Sequence, residues 1–317
     1  MERLLRFVVR RLLASVPVLL LVSLLSFAVI WLVPGDPAAA FLDPGATPAQ
    51  LAAVRHRLGL DEPFYLQAIT WYGRLLHGDL GQSILLNRSV SAAIVERLPV
   101  TLSLTLLALI FATLMGIAAG LLAAVRHRSW ADQSVMILAL LGLSVPEFWL
   151  GLMLIFGLAV RLRWFPAGGF VPIAQSFSGW WHSMAMPAFT LAAVQVGFIA
   201  RMTRSAMLEV LSQDFIRTAE SKGLPHSIVV GRHGLPNALV PILTVLGIVT
   251  GGLLGGAVVV EQVFSLPGVG RLIIGAVLSR DFPVIQGTLL FVAVIYLLVN
   301  LIVDILYAVA DPRVRIE

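Results

Sequence analysis

The 317-residue sequence holds no cysteine, so the chain forms no disulfide and does no thiol chemistry. It is also poor in charge. Only 12% of its residues are Asp, Glu, Lys or Arg, about half the share in an ordinary soluble domain. Against that, 59% are hydrophobic and the mean hydropathy is +0.95. So few charges cannot coat a soluble globule of this size, and the composition implies an all-α polytopic membrane protein. Lysine is almost missing. The single one, Lys222, precedes Gly223, whereas a P-loop needs lysine followed by Ser or Thr to hold phosphate and magnesium. Any ATP-driven work must then be done by another chain. The six histidines, at 56, 77, 127, 182, 226 and 233, fall outside the apolar runs and form no HExxH pattern. No catalytic, cofactor-binding or metal site is expected.

What the chain does have is long apolar runs. A helix crossing the hydrocarbon core needs about 20 predominantly apolar residues, and six runs qualify. Leu12 to Val33 is the first, and its 22 uncharged residues exceed the about 7 to 15 of a secretory h-region, so it reads as a retained span. Leu98 to Val125 is the second and Gln133 to Val160 the third, with Pro146-Glu147 inside it. Met184 to Ala200, continuing past Arg201, is the fourth, and Ala238 to Val260 the fifth. The sixth is Val284 to Val303, continuing through Asp304 to Ala310 before Asp311-Pro312 ends it. Three parts follow: 1–33, the N-terminus and first span; 34–97, an outside segment; and 98–317, a five-helix core with a loop at 205–237.

Orientation follows from where Arg and Lys fall in the short loops. With the N-terminus in the cytoplasm, the inside pieces carry thirteen, at 3, 6, 10, 11, 126, 128, 201, 204, 217, 222, 232, 313 and 315. The two short outside loops carry four, at 161, 163, 271 and 280. Both termini are therefore expected inside. The net charge of +5 and pI near 10.4 are topological, spread over separate loops, and imply membrane lipid as surroundings and no nucleic acid as partner.

Two loops carry helix signals of their own. Outside, Thr47-Pro48-Ala49-Gln50 fits a capping box with proline at the first helical position, and Gly59 supplies the stop. A second helix there starts near Asp61-Glu62-Pro63, with Phe64, Ala68, Trp71 and Leu75 on one stripe, and ends at His77-Gly78. Both read as packing elements or as a docking surface. Between the fourth and fifth spans, Ser212 is an N-cap candidate and Lys222 closes the last turn of a short helix. Gly223 is its left-handed stop and Pro225 lies beyond. A second short helix from Pro225 through Val230 is expected to break at Gly231 and Gly234-Leu235-Pro236. Two such helices are too elaborate for a minimal connection.

These residues carry a resemblance. Gly223, nine residues, then His233-Gly234-Leu235-Pro236 resembles the cytoplasmic "EAA" loop of permease subunits of bacterial ABC importers, with Arg217 at the glutamate position and Thr218 at the first alanine. The Arg217-Thr218-Ala219 and Lys222-Gly223-Leu224 variant is similar to the dipeptide, oligopeptide, nickel and glutathione branch. Pro34-Gly35-Asp36-Pro37-Ala38, Gly78-Asp79-Leu80-Gly81, Pro267-Gly268-Val269-Gly270, Arg280 to Gln286 and Asp311-Pro312-Arg313 look like the same branch. The long outside segment points to its "B" type subunit. The resemblance implies a type I importer-like fold in the bacterial inner membrane. It implies a paralogous permease subunit, two cytoplasmic ABC ATPase subunits and an extracytoplasmic solute-binding protein as partners, with di- or oligopeptides as cargo. It further implies ATPase coupling through Arg217, Ala219, Glu220, Lys222, Gly223, Leu224, Pro225, His233 and Asn237.

Inside the spans, a carboxylate costs about 2.5 to 3.5 kcal/mol at the bilayer centre on insertion scales. Glu147 either lines a transport path or satisfies the kink after Pro146. Asp304 either lines the path or pairs with an arginine near the cytoplasmic end. Gln195 is a helix-to-helix hydrogen bond or a ligand contact. Gly251-Gly252 and Gly255-Gly256 permit close packing or hinge the fifth span. An ion-coupled secondary transporter or channel is the alternative, but it would call for repeats or a mid-membrane charge relay, and neither is evident. An intramembrane enzyme would need a nucleophile with its base, or a metal cluster. A non-transporting receptor could use the 205–237 loop for docking.

Overall fold

A computed structural model describes residues 2–32, 36, 38, 42, 46–83 and 85–310. The expected turn at Pro34-Gly35 and Pro37 and the tail from Asp311 lie outside the described residues. Twelve α-helices and one two-residue hairpin make up the described chain. In order they are α1 (Glu2–Leu32), α2 (Pro48–Leu58), α3 (Phe64–Leu76), β1 (Gln82–Ser83), β2 (Arg88–Ser89), α4 (Val90–Val125), α5 (Trp130–Ser144), α6 (Glu147–Leu154), α7 (Phe177–Leu211), α8 (Asp214–Ser221), α9 (His226–Ile228), α10 (Leu235–Val263), α11 (Val269–Leu278) and α12 (Phe282–Ala310). Wider π-type turns extend α6 over Ile155–Arg161 and join α9 to α10 over Val229–Gly234.

Helices are what an apolar chain must form in lipid, because each backbone N–H and C=O then finds its partner within the segment. Among the described residues, five helices are long and apolar enough to cross a membrane: Val8–Trp31, Val90–Val125, Phe177–Leu211, His226–Val263 and Phe282–Ile305. The third expected span is not one rod. Trp130–Ser144 and Glu147–Arg161 pass the same test only as a pair, bent by 102°. The cause is local: Val145 and Pro146 are both extended, at ψ 123° and 135°. Proline lacks the N–H the helix would need and pushes its predecessor out of the α region. Counting the pair as one span gives the expected six.

The break expected at Gly231 and Gly234-Leu235-Pro236 does not occur, since helical structure runs on from His226 to Val263. Pro236 lies at the start of α10, directly after the π turns of Val229–Gly234, whose widened geometry accommodates a residue that lacks an N–H. Ser212 also differs from expectation. It ends α7, its hydroxyl donating to Glu209 O at 2.7 Å, while Gln213 stands at the N-cap of α8.

The chain divides into two compact units, one of residues 1–8, 100–266 and 298–317 and the other of 9–99 and 267–297. The first is organised around α7. Leu104, Met184, Leu191, Ile199, Val249, Leu253, Val260 and Phe264 form its buried core. Neighbours approach α7 backbone to backbone: a Cβ on Gly197 would lie 2.5 Å from Ala139 O on α5, and one on Gly120 of α4 would lie 2.5 Å from Ala200 O. Such approaches give membrane helices their packing energy.

The second unit packs Val90, Ile94, Val269, Leu272, Phe282 and Ile285 into a core. Thr47 makes the expected capping box with Gln50, and Gly59 ends α2 at φ 68°. The aromatic stripe of α3 seats on α1, with Phe27 5.2 Å from Phe64 and 5.6 Å from Trp71, ring centre to ring centre. The buried Asp281, before α12, accepts a 2.5 Å hydrogen bond from Ser83 Oγ of β1. A cavity of about 400 Å³ opens beside it, lined by Leu85, Leu86, Arg97, Pro267, Arg271 and Leu272 among others.

Gly197→Val should lower the thermal stability of the detergent-solubilised protein by about 1 to 3 kcal/mol, the usual cost of overpacking. Gly231→Ala, where a Cβ meets nothing within 4 Å, should leave the melting temperature unchanged. A scanning-fluorimetry comparison of the two checks the expectation.

Candidate functional site

The 205–237 loop is built from the inside out. Ile216 and Ala219, three residues apart, form the buried face of α8 and pack on Val229, with Leu211 beside them. Val230 in turn joins a cluster with Ala124, Met207, Ala238 and Ile242, which draws on α4, α7 and α10. The short helix is thus clamped to the ends of longer ones. Asp214 supplies negative charge to its first turn. Lys222 is its C-cap residue and Gly223 takes φ +79°. A Cβ at Gly223 would meet nothing within 4 Å, so glycine is required there by backbone conformation and not by crowding.

The opposite face of α8 is open. Phe215 is exposed, as are Leu224 and Ile228 beyond the helix. Arg217 stands out with 73% of its side chain exposed and pairs loosely with Asp214 at 3.4 Å. Glu220 faces His226 at 3.9 Å, and Lys222 and Pro225 are exposed too. Ala219 points inward. His233 is half-buried, and its carbonyl accepts from exposed Asn237 Nδ2 at 2.7 Å. The sequence-derived set therefore splits into residues presented outward and residues, Ala219 and Gly223, that shape the helix presenting them. Phe215 was not singled out from the sequence, although its place beside the buried Ile216 made exposure readable from helical spacing.

A second group lies between α6, α7 and α10. The Glu147 carboxylate lies over Gly256, its oxygens 2.8 and 3.1 Å from where that residue's Cβ would stand. Gln195 Nε2 lies 3.3 Å from the same point at Gly252. Leu191 also meets Gly256, so residues 191 and 195 of α7 face 256 and 252 of α10 in reversed order, and the two helices run antiparallel. Asp304 is not brought to this place. Its neighbour Val303 packs against Gly247, further towards the start of α10.

Two polar contacts were not anticipated. Asp132, 5% exposed in its side chain, accepts from Arg204 Nε at 2.5 Å and Nη2 at 2.8 Å, and from the backbone N–H of Arg128 at 3.0 Å. His127 completes the cluster, its Nδ1 3.3 Å from Asp132. The sequence signal was present in Ser129-Trp130-Ala131-Asp132, a serine three residues before an acid at a helix start. The other contact is Thr101 Oγ1 donating to the fully buried Glu261 at 2.6 Å, for which no local pattern exists.

Residues 116–316 match the family described as binding-protein-dependent transport system inner membrane component, and residues 4–105 match its N-terminal counterpart. A putative peptide transport system permease protein of Brucella abortus (strain 2308) is 49% identical over 310 residues, covering 98% of this chain and 99% of that one. A dipeptide transport system permease protein of Alkalihalophilus pseudofirmus is 41% identical over 331 residues, at 98% and 99% coverage. A glutathione transport system permease protein of Salmonella paratyphi A is 42% identical over 311 residues, with the same coverage. Among solved structures, the inward facing MetNI methionine ABC transporter aligns with a TM-score of 0.58 at 20% identity, covering 70% of this chain and 97% of that one. That likeness is one of fold.

Arg204→Ala would strand the Asp132 carboxylate in a buried place. It should cost about 3 kcal/mol, the low end for a broken buried pair, because 24% of the Arg204 side chain remains exposed. The Asp132→Ala, Arg204→Ala double variant should be less destabilised than the sum of the single changes, as read from thermal unfolding in detergent.

Proposed function

The chain belongs to the family of inner membrane components of binding-protein-dependent transport systems, an ABC importer permease subunit, and on that footing we propose that it imports di- or oligopeptides as one half of a heterodimeric pore. The names of its relatives support the cargo. Both termini lie in the cytoplasm, a reading supported by the thirteen-to-four distribution of basic residues. A paralogous permease supplies the other half of the pore, and a solute-binding protein delivers cargo to the outside segment 34–97. Two ATPase subunits hydrolyse ATP, since the only lysine here is followed by glycine and cannot serve a P-loop.

The observation that carries the coupling role is the build of α8. Its buried face ties it to the ends of α7 and α10, while Phe215, Arg217, Glu220, Lys222, Leu224 and Pro225 are left on the surface. A groove on an ATPase subunit that grips this surface can move α8 as a rigid lever. Because Ile216 and Ala219 are locked on Val229, that motion passes to α7 and α10 instead of being spent in a flexible loop. Glu147, Gln195 and the glycines of α10 are the part of the transport path reached by it, and Asp304 belongs to the end of α12.

Gly223→Val tests the lever. A β-branched residue at φ +79° is strained by about 1 to 3 kcal/mol and has room for its side chain, so the damage should be confined to the path of the chain after α8. Membrane insertion and association with the partner permease should be normal, while peptide uptake and binding-protein-stimulated ATP hydrolysis by the reconstituted complex should fall together. Lys222→Ala should be milder, as an exposed terminal charge is worth about 0.3 to 1 kcal/mol to its helix. Wild-type uptake by Gly223→Val would show that the loop is passive.

Orientation is tested separately. A single cysteine at Ser227 should resist a membrane-impermeant thiol reagent in intact cells, and one at Ser178 should react. Labelling of the Ser227 position from outside would reverse the topology.

A further inference from the structure

Glu147 is the first residue of α6, fixed just past the bend that Val145 and Pro146 impose. Its side chain is half-buried, and its carboxylate reaches the α10 face at Gly256, sharing that place with the Leu191 side chain. Among the described residues, no hydrogen bond or ion pair is made by the Glu147 carboxylate or by the Gln195 side chain. A carboxylate accepts only, and the Gln195 amide both accepts and donates. The Cβ positions these two groups approach belong to Gly256 and Gly252, one helical turn or about 6 Å apart. Beside them Gly255 is exposed, and a Cβ there would meet nothing within 4 Å. Leu191 Cδ1, 2.8 Å from the Gly256 Cβ position, supplies an apolar wall.

An anionic acceptor that makes no hydrogen bond or ion pair among the described residues, with the open surface at Gly255 beside it and the Gln195 amide nitrogen one turn away, calls for a ligand bearing several N–H donors and a positive charge. We propose that Glu147, assisted by Gln195, binds the α-ammonium group of the transported peptide. This rests on the peptide-permease reading given above. In this arrangement the ammonium lies against the Glu147 carboxylate, with its first side chain directed to the space left by Gly255. The glycines serve to keep that space free. Fixing the amino end leaves the rest of the peptide without sequence-specific contacts at this point, which suits cargo of varied side chains.

The test uses the permease pair with its ATPase subunits, reconstituted without the binding protein, and equilibrium binding of radiolabelled trialanine, trialanine amide and N-acetyl-trialanine. Wild type should bind the first two alike and N-acetyl-trialanine about tenfold or more weakly, as expected for a lost charge-assisted hydrogen bond. Glu147→Gln should weaken trialanine binding by about the same factor and leave N-acetyl-trialanine unchanged. Because the comparison among ligands is made on wild type, misfolding of the variant cannot imitate the result. Equal binding of the acetylated peptide, no binding of trialanine at all, or competition by sodium ion that Glu147→Gln abolishes would each overturn the proposal. The last would mark the site as one for a metal cation. ATP-driven trialanine uptake with the binding protein present is measured in parallel. If uptake proceeds while the binding result fails, only the ammonium site is wrong, whereas absence of uptake of any peptide would strike the peptide-permease reading itself.

Discussion

At two places the helices packed on α7 come so close that no side chain would fit between the backbones. At Gly197 the backbone of α5 is so near that a methyl group would overlap a carbonyl oxygen, and at Gly120 the same holds for α4 against α7. In lipid no hydrophobic force pushes helices together, since the surrounding tails are as apolar as leucine, and contact area at close range has to do that work. Much follows from this one constraint. The axis of α7 sets where α5 lies and brings Leu191 and Gln195 onto the glycine face of α10. It also sets the point from which the chain leaves for α8.

Continuity is the second theme of the 100–266 unit. From the end of α7 to the start of α10, every residue with an apolar side chain turned inward finds a partner in a longer helix: Ile216 and Ala219 through Val229, and Val230 through Met207, Ala238 and Ile242. The π turns of Val229–Gly234 keep helical structure unbroken past a proline. Asp132 and Arg204 add a polar tie between the start of α5 and α7, near the end of α7 that leads to α8.

Much of this was legible in residues read one after another. Apolar runs long enough to span lipid located the crossing helices, because nothing else can surround a helix in hydrocarbon. Thr47-Pro48 and Gly59 marked α2 through capping chemistry, and Gly223 marked the stop of α8 through its tolerance of positive φ. Each of these signals acts within a turn or two of the residue that carries it. The misreadings came from the same locality. Gly234-Leu235-Pro236 looks like a break because local rules do not contain the π widening that rescues it, and Pro146 looked like a kink inside one span when it forms a 102° corner.

The sequence by itself determined the membrane class, the long apolar helices and the existence of a structured loop between the fourth and fifth expected spans, because composition, run length and capping are properties of neighbouring residues. Tertiary structure decided which polar groups meet. Asp132 and Arg204 are 72 positions apart, and Thr101 and Glu261 are 160 apart. The approach of Glu147 to Gly256 and of Gln195 to Gly252 depends on how three helices cross. No local pattern records such distances, since they are set by how closely one helix backbone can approach another.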